Sequence, residues 1–350
     1  MFILASALLV TAILIYAYYK RKMKPPKPRI CGTLNGPSVT SPRIKLSDGR
    51  HLAYRERGVP KQVSKHKVIL VHGFNSSKDL YLPLSQEVME ELGLYVLTYD
   101  RAGYGESDPN PKRSVKTEAF DIQELADRLG LGQKFHLIGV SIGTHPVWGC
   151  LKYLPHRLAG VTLMVPVINF WWPSFNSELA NREFKKQLRR DQWKLRISHY
   201  APGLVYWWMT QKIFPFCSIM QGHPILANPR DVQTIKQMSH IPMPHDDRKI
   251  RQQGDFESLH RDLMVHFGKW EFDPMEMKNP FPGEEACRVY LWQGHEDKLV
   301  PYELQRYLAK KLPWINYVEV EDGGHLMIHE PRLCEAIFRQ LLLGQPPSLH

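Results

Sequence analysis

The sequence lacks the features that mark several classes of protein. Its five cysteines are scattered, odd in number and never arranged as Cys-x-x-Cys. This pattern indicates neither a disulfide framework nor a zinc site, and it suits a reducing compartment. No internal repeat and no nucleic-acid-binding motif is present, which argues against a repeat architecture and against nucleic acid as a partner. We expect neither a metal nor a cofactor.

The amino terminus carries a long run without charged side chains. As a helix, the run Phe2–Tyr19 spans about 27 Å, which is just enough for the core of a bilayer. A cleavable signal peptide would have basic residues before its apolar run and a small-x-small site after it. Here the basic residues follow the run. About half of the net charge of +11 lies in this cluster, which contains Lys20, Arg21, Lys22, Lys24, Lys27 and Arg29.

These signals predict a single membrane anchor at residues 1–19. The positive-inside bias then places the rest of the chain in the cytosol, on the endoplasmic reticulum or another endomembrane. Residues 20–42 are basic and rich in proline, which is typical of a tether. The membrane is therefore an expected partner.

The remaining residues are sufficient for one large domain or two small ones, because 43% of the chain is hydrophobic and 11% aromatic. We predict a core formed by residues 43–168 and 283–350, interrupted by a helical lid at residues 169–282. The lid segment lacks strand periodicity and is rich in tryptophan. Most of these tryptophans must pack inside the lid; alternatively, some line an apolar substrate pocket or touch the bilayer. They are Trp171, Trp172, Trp193, Trp207, Trp208 and Trp270.

The core segments alternate apolar strands with helical stretches. Val68–Val71, Tyr95–Tyr99 and Phe135–Ile138 are continuous apolar runs, typical of strands buried on both faces. Strands that alternate with helices favour a parallel sheet with right-handed crossovers. In such sheets, chemistry gathers at the carboxyl ends of the strands. Three polar residues directly follow these strands, namely His72, Asp100 and Ser141.

Ser141 lies in a Gly-x-Ser-x-Gly turn between a strand and a helix. The flanking glycines remove Cβ atoms that would collide in a tight bend, and the bend exposes the hydroxyl. The motif alone is modest evidence, because an ordinary strand–helix turn uses the same residues. A serine nucleophile also needs a general base and a carboxylate that orients it. His325 follows two glycines on a post-strand loop, and Asp297 lies on the loop after the penultimate strand.

The order Ser, Asp, His along the chain is that of the α/β-hydrolase class. Residues 43–343 resemble the α/β-hydrolase superfamily, and the amino-terminal anchor resembles a group of membrane-anchored plant members. The resemblance implies an eight-stranded, mostly parallel sheet flanked by helices, with a helical lid. It rests on five motifs in order, namely His72-Gly73-Phe74, Asp100-x-x-Gly103-x-Gly105-x-Ser107, Gly139-x-Ser141-x-Gly143, Gly294-x-x-Asp297-x-x-Val300-Pro301 and Gly323-Gly324-His325.

The same resemblance implies a role for each site residue. Ser141 would be the nucleophile, His325 the base and Asp297 the orienting acid. The backbone N–H groups of Phe74 and Ile142 would form the oxyanion hole. His72 and Gly73 would support the oxyanion loop.

Other residues compete for these roles. His329 follows His325 by four residues but lacks its glycine loop, and Glu296 neighbours Asp297. We expect His295 to be a surface residue, His145 to be packed or to cap a helix, and Asp100 to anchor its loop.

A serine at the elbow excludes the epoxide hydrolases and haloalkane dehalogenases of this superfamily, which need aspartate there. We therefore expect a membrane-anchored serine hydrolase that cleaves a lipophilic carboxylic ester through an acyl-enzyme. A ligand receptor of this fold with slow or no turnover remains an alternative. A carbon–carbon bond hydrolase or lyase that uses the same triad is another.

Overall fold

The computed structural model describes residues 11, 23–222, 228–239, 246–281, 283 and 288–347. Nearly all of the predicted anchor, residues 1–19, lies outside these ranges. Within them, no helix is both long enough and apolar enough to cross a membrane.

The core is one mixed sheet of eight strands in the order β1-β2-β4-β3-β5-β6-β7-β8. Strands β3 to β8 run parallel, whereas β1 and β2 pair antiparallel with their neighbours. This confirms the predicted sheet. The strands are β1 (Arg43–Lys45), β2 (His51–Gly58), β3 (His66–Val71), β4 (Leu94–Tyr99), β5 (Phe135–Val140), β6 (Leu158–Met164), β7 (Arg288–Gly294) and β8 (Ile315–Val320).

The central strands are apolar on both sides because each face of the sheet packs against its own hydrophobic cluster. Leu97 and Leu137 belong to the cluster on one face, and Val96 and Ile138 to the cluster on the other. This is the burial that continuous apolar runs predict. The strand register then fixes the site, because Val71 pairs with both Tyr99 and Gly139. The loops that follow β3, β4 and β5 therefore leave the sheet side by side.

Helices flank the sheet, as the resemblance implied. The helix after Ser141 begins as a 3₁₀ turn over Ser141–Gly143. A short helix, α1, was not expected. The helices outside the insertion are α1 (Gln86–Glu91), α2 (Val115–Arg128), α3 (Thr144–Tyr153), α10 (Tyr302–Lys311) and α11 (Pro331–Leu343).

The insertion between β6 and β7 is helical, and its described residues contain no strand. Its tryptophans differ in burial: Trp172 and Trp208 are buried, whereas Trp193 is 55% exposed. The insertion contains the α-helices α4 (Ser177–Lys186), α5 (Arg189–Tyr200), α6 (Val205–Thr210), α7 (Pro229–Ser239), α8 (Asp247–Ile250) and α9 (Arg261–His266).

The carboxyl-terminal half of the predicted tether is attached to the domain. The backbone N–H of Cys31 donates to Gln253 Oε1 of the lid (3.2 Å), and Cys31 is buried. The backbone N–H groups of Thr40 and Ser41 both donate to the Glu106 carboxylate (2.8 and 3.0 Å). Residues 29–41 therefore bridge core and lid through these contacts.

Candidate active site

Ser141 has a left-handed backbone conformation, with φ of 55°. This conformation is costly for a residue other than glycine and persists only where the surroundings impose it. A Cβ atom on Gly143 would lie 2.5 Å from the carbonyl oxygens of Val71 and His72, and one on Gly139 would lie 2.7 Å from the Gly143 carbonyl oxygen. The two glycines therefore permit the tight bend that holds Ser141 above the end of β5.

Ser141, His325 and Asp297 are joined in a hydrogen-bonded chain. His325 Nε2 lies 3.0 Å from Ser141 Oγ, and His325 Nδ1 lies 2.8 Å from Asp297 Oδ2. Asp297 Oδ1 accepts the backbone N–H groups of Leu299 and Val300 at 2.8 and 2.9 Å. These two bonds fix the carboxylate, so that its second oxygen faces the imidazole. The structure thus brings together the three residues singled out from the sequence.

The electrostatic setting of His325 suits a proton acceptor. Burial lowers the pKa of its imidazole, but the neighbouring carboxylates of Asp297 and Asp231 outweigh that effect and raise the pKa above 6.5. A raised pKa makes the ring a stronger base once it is neutral. The bond from Nδ1 to Asp297 also leaves Nε2 free to accept the proton of Ser141.

The loop after β3 lies beside Ser141, and a Cβ atom on Gly73 would be only 3.3 Å from Ser141 Cβ. His72 Nδ1 lies 2.8 Å from the Gly73 carbonyl oxygen, and His72 Nε2 accepts the Arg101 backbone N–H at 3.0 Å. Burial and the Arg101 charge hold the pKa of His72 well below 6.5. His72 is therefore a neutral ring that supports this loop. Phe74 and Ile142 both border the space in front of Ser141.

That space is a cavity of about 360 Å³ between the sheet and the lid. This volume is typical of a small-molecule site. Both the core and the lid contribute apolar side chains, but none of the six lid tryptophans lines the cavity. The apolar side chains that line it include Leu80, Val167, Leu195, Ile219, Met238, Leu263, Phe267 and Leu304.

The competing residues bind other groups, although His329 also lines the cavity. Glu296 binds Lys298 Nζ at 2.9 Å, and His295 Nδ1 lies 3.0 Å from Glu319 Oε1. His329 Nδ1 lies 2.7 Å from the Tyr81 carbonyl oxygen.

Two more of the residues weighed from the sequence are buried next to the site. His145 Nε2 lies 2.8 Å from the Val167 carbonyl oxygen, in a packed position. Asp100 accepts the backbone N–H groups of Lys78 and Glu106 at 2.8 and 3.1 Å. Both arrangements hold the loops around the site in place.

The sequence matches the model of a known protein family. A model of the alpha/beta hydrolase family covers residues 68–337, which is more than half of the chain. The chain belongs to the alpha/beta hydrolase family.

Individual members of the alpha/beta hydrolase family are distant in sequence. Lipase 1 of Psychrobacter immobilis is 22% identical over 290 residues, which cover 82% of this chain and 78% of that protein. An esterase from Thermogutta terrifontis is 22% identical, with a TM-score of 0.56 over 87% of this chain and 99% of its own. An esterase from Exiguobacterium antarcticum is 14% identical, with a TM-score of 0.58 over 87% of this chain and 100% of its own. At these identities the solved structures establish the shared fold.

Within this fold, Asp231 is a buried lid carboxylate that reaches the site and that no sequence motif indicated. Its Oδ2 accepts the His325 backbone N–H at 3.1 Å, and its Oδ1 accepts that of Leu326 at 2.8 Å. The preceding residue, Arg230, binds Glu330 at 3.0 Å. The amino-terminal turn of α7 is thus bound to the loop that carries the imidazole.

A buried charge network behind the oxyanion loop was also missed. The Arg101 guanidinium donates to the carbonyl oxygens of His72 (3.1 Å) and Gly73 (3.3 Å). It also forms a bidentate pair with Asp262 of α9, at 2.8 and 2.6 Å. Asp262 additionally accepts from Arg113 and from the Tyr104 hydroxyl. One lid carboxylate is therefore coupled to the loop that carries Phe74.

Three members of this network have the side chains of metal ligands. Glu118, Asp262 and His266 place ligand atoms within 4.8 Å of one another. The guanidinium groups of Arg101 and Arg113 already contact Glu118 and Asp262. Two cations thus balance these carboxylates, which makes the cluster a poor metal site.

Proposed function

We propose that the protein is a serine hydrolase that cleaves a carboxylic ester with a lipophilic group. The observation that carries the proposal is the continuous contact from Asp297 through His325 to Ser141 Oγ, at 2.8 and 3.0 Å, at the floor of a largely apolar cavity. The names of the esterases and the lipase to which the chain is similar support the same reaction class.

The proposed reaction proceeds in two steps. Ser141 Oγ attacks the ester carbonyl carbon while His325 Nε2 takes the hydroxyl proton, and Asp297 stabilises the resulting imidazolium. The backbone N–H groups of Phe74 and Ile142 bind the oxyanion, and His325 then protonates the departing alkoxide. A water molecule activated by His325 hydrolyses the acyl-enzyme by the same route in reverse order. Losing one oxyanion donor costs about 10²–10³ in rate in enzymes of this kind.

The cavity supports a lipophilic substrate, because most of its lining side chains are apolar. An enzyme tethered by residues 1–19 would meet such a substrate at the membrane. We therefore propose an anchored enzyme on the endoplasmic reticulum or another endomembrane, with its catalytic domain in the cytosol.

Labelling by a fluorophosphonate probe tests the proposal. We expect the full chain in detergent to label covalently and the Ser141→Ala variant not to label. Ser85→Ala is a matched control, since Ser85 caps α1 outside the cavity, and it should label like the unaltered chain. Folded protein that does not label would argue against ester hydrolysis and in favour of a ligand receptor.

A further inference from the structure

Two oppositely charged side chains lie in the lid wall of the cavity, which is otherwise apolar apart from Gln187. Asp191 and Lys194 both line it, both come from α5, and both are at least 94% buried, with relative exposures of 6% and 5%. Lys194 Nζ lies 2.7 Å from Asp191 Oδ1. A buried ion pair is costly to desolvate, and apolar side chains of similar volume often replace such pairs without loss of stability. The presence of this ion pair in the cavity wall therefore needs an explanation other than stability.

The carboxylate of the pair has partners besides the lysine. Asp191 Oδ1 accepts the Ser218 backbone N–H at 3.1 Å as well as the lysine, and Asp191 Oδ2 accepts the Ser218 hydroxyl. These bonds tie α5 to the Cys217–Ser218 segment. Asp191 and Ser218 alone are sufficient for that structural purpose.

The ammonium of the pair is less well satisfied. A lysine has three N–H donors, and Lys194 Nζ has two partners among the described residues, Asp191 and the weak acceptor Cys217 Sγ at 3.5 Å. Burial lowers the pKa of Lys194, but Cys217 and Asp191 raise it above its usual value, so the group is charged at neutral pH. A buried ammonium beside a cavity therefore retains a donor for a ligand.

We propose that Lys194 Nζ donates a hydrogen bond to a neutral oxygen of the substrate, so that the preferred esters are lipophilic compounds with a second oxygen function, such as a hydroxyl or keto group. Neutral oxygen is favoured because Asp191 already balances the lysine charge. The inference rests on the proposed ester hydrolysis, which supplies the measurement.

Matched ester pairs test this specificity. The two esters of a pair have the same chain length, and one of them carries a keto or hydroxyl group. In one series this group is placed at successive positions of the acyl chain. In another series it is placed at successive positions of the alcohol chain. A hydrogen bond to a charged group typically contributes about 1.5–3 kcal/mol, so the best oxygenated ester should exceed its plain partner in kcat/KM by about tenfold or more. Lys194→Met should reduce this ratio to near one.

The variants separate specificity from folding. In Lys194→Met, the buried Asp191 carboxylate keeps Ser218 as a partner but loses its cation. The Asp191→Asn/Lys194→Met double variant removes both charges and should give the same loss of preference. Lys185→Met, at an exposed lid position outside the cavity, is the control and should retain the ratio. Equal rates within every pair, or a preference that survives both Lys194 variants, would overturn the proposal. A further pair compares a carboxylate-bearing ester with its plain partner, and a preference confined to the carboxylate-bearing ester would overturn the neutral-oxygen specificity.

The outcomes also distinguish this inference from the proposed function. A chain that labels at Ser141 with a fluorophosphonate but shows no preference for oxygenated esters contradicts the Lys194 subsite alone. A chain that does not label contradicts the ester hydrolase on which the subsite rests.

Discussion

Asp231 of the lid accepts the backbone N–H groups of both His325 and Leu326, at 3.1 and 2.8 Å. The imidazole is therefore held by two carboxylates: Asp297 binds its ring, and Asp231 binds its backbone. Because Asp231 lies on α7, the docking of this helix and the position of the imidazole are linked. The same carboxylate contributes to the raised pKa of His325.

We expect the pH dependence of ester hydrolysis to report His325. A general base must be neutral, and the pKa of His325 lies above 6.5 because Asp297 and Asp231 outweigh its burial. Activity should thus be full above this pKa and fall as the pH is lowered through it, with the midpoint of kcat/KM above 6.5. A pH profile with a plain alkyl ester measures this midpoint. A midpoint below 6.5 would contradict the assignment.

Replacing Asp231 should move that profile. Asp231→Asn removes the negative charge and one acceptor oxygen, so the pKa of His325 should fall and the acid limb should shift to lower pH. The loosened His325 loop should also reduce kcat by about tenfold or more. Asp127→Asn, a half-exposed carboxylate on the core surface, is the control and should leave the profile unchanged. If Asp231 had a purely structural role, Asp231→Asn would lower kcat without shifting the acid limb of the pH profile.

Neutralising Asp262 should destabilise the protein strongly. In Asp262→Asn, the buried guanidinium groups of Arg101 and Arg113 lose their main counter-charge. Breaking a buried ion pair by removing one partner costs about 3–5 kcal/mol. Glu124→Gln, in a surface pair with Arg128, should cost less than about 1 kcal/mol. Denaturant unfolding of both variants measures the difference, and similar costs for the two would show that the network contributes little.

The elbow glycines should tolerate no side chain. In Gly143→Ala, the new Cβ would lie 2.5 Å from two carbonyl oxygens of the oxyanion loop, so β3 and the elbow must separate. We expect ester hydrolysis to fall by more than about 100-fold, because reacting groups displaced by about 1 Å lose that much. Gly203→Ala, at a position with open space around it, should have nearly full activity. Rates measured under identical conditions decide between these outcomes.

Much of the fold could be predicted from local sequence. The central strands are largely apolar runs. The residues after β3, β4 and β5 belong to short motifs, and each of these motifs lies within a single turn. Such signals need no knowledge of distant contacts. This is why Ser141, Asp297 and His325 could be proposed before their distances were known.

The missed residues depend on contacts between distant segments. Asp231 is separated from His325 by 94 positions, and Arg101 from Asp262 by 161. Neither lid carboxylate lies in a motif. Asp191 and Lys194 have the i, i+3 spacing of an ordinary surface pair on a helix, and only the packing of the lid shows that they are buried. The sequence likewise contained no sign that residues 29–41 pack onto the domain.

The Arg101 network limits how this enzyme scaffold can be re-engineered. A graft that replaces the lid with that of a relative would remove Asp262 and leave the buried guanidinium groups of Arg101 and Arg113 with Glu118 of the core as their counter-charge, whatever the fit of the new pocket. A successful chimera would have to supply a carboxylate at the position of Asp262, or replace Arg101 and Arg113 with apolar residues at the same time. Replacement of the lid and the position of the loop that carries Phe74 are thus linked in this chain.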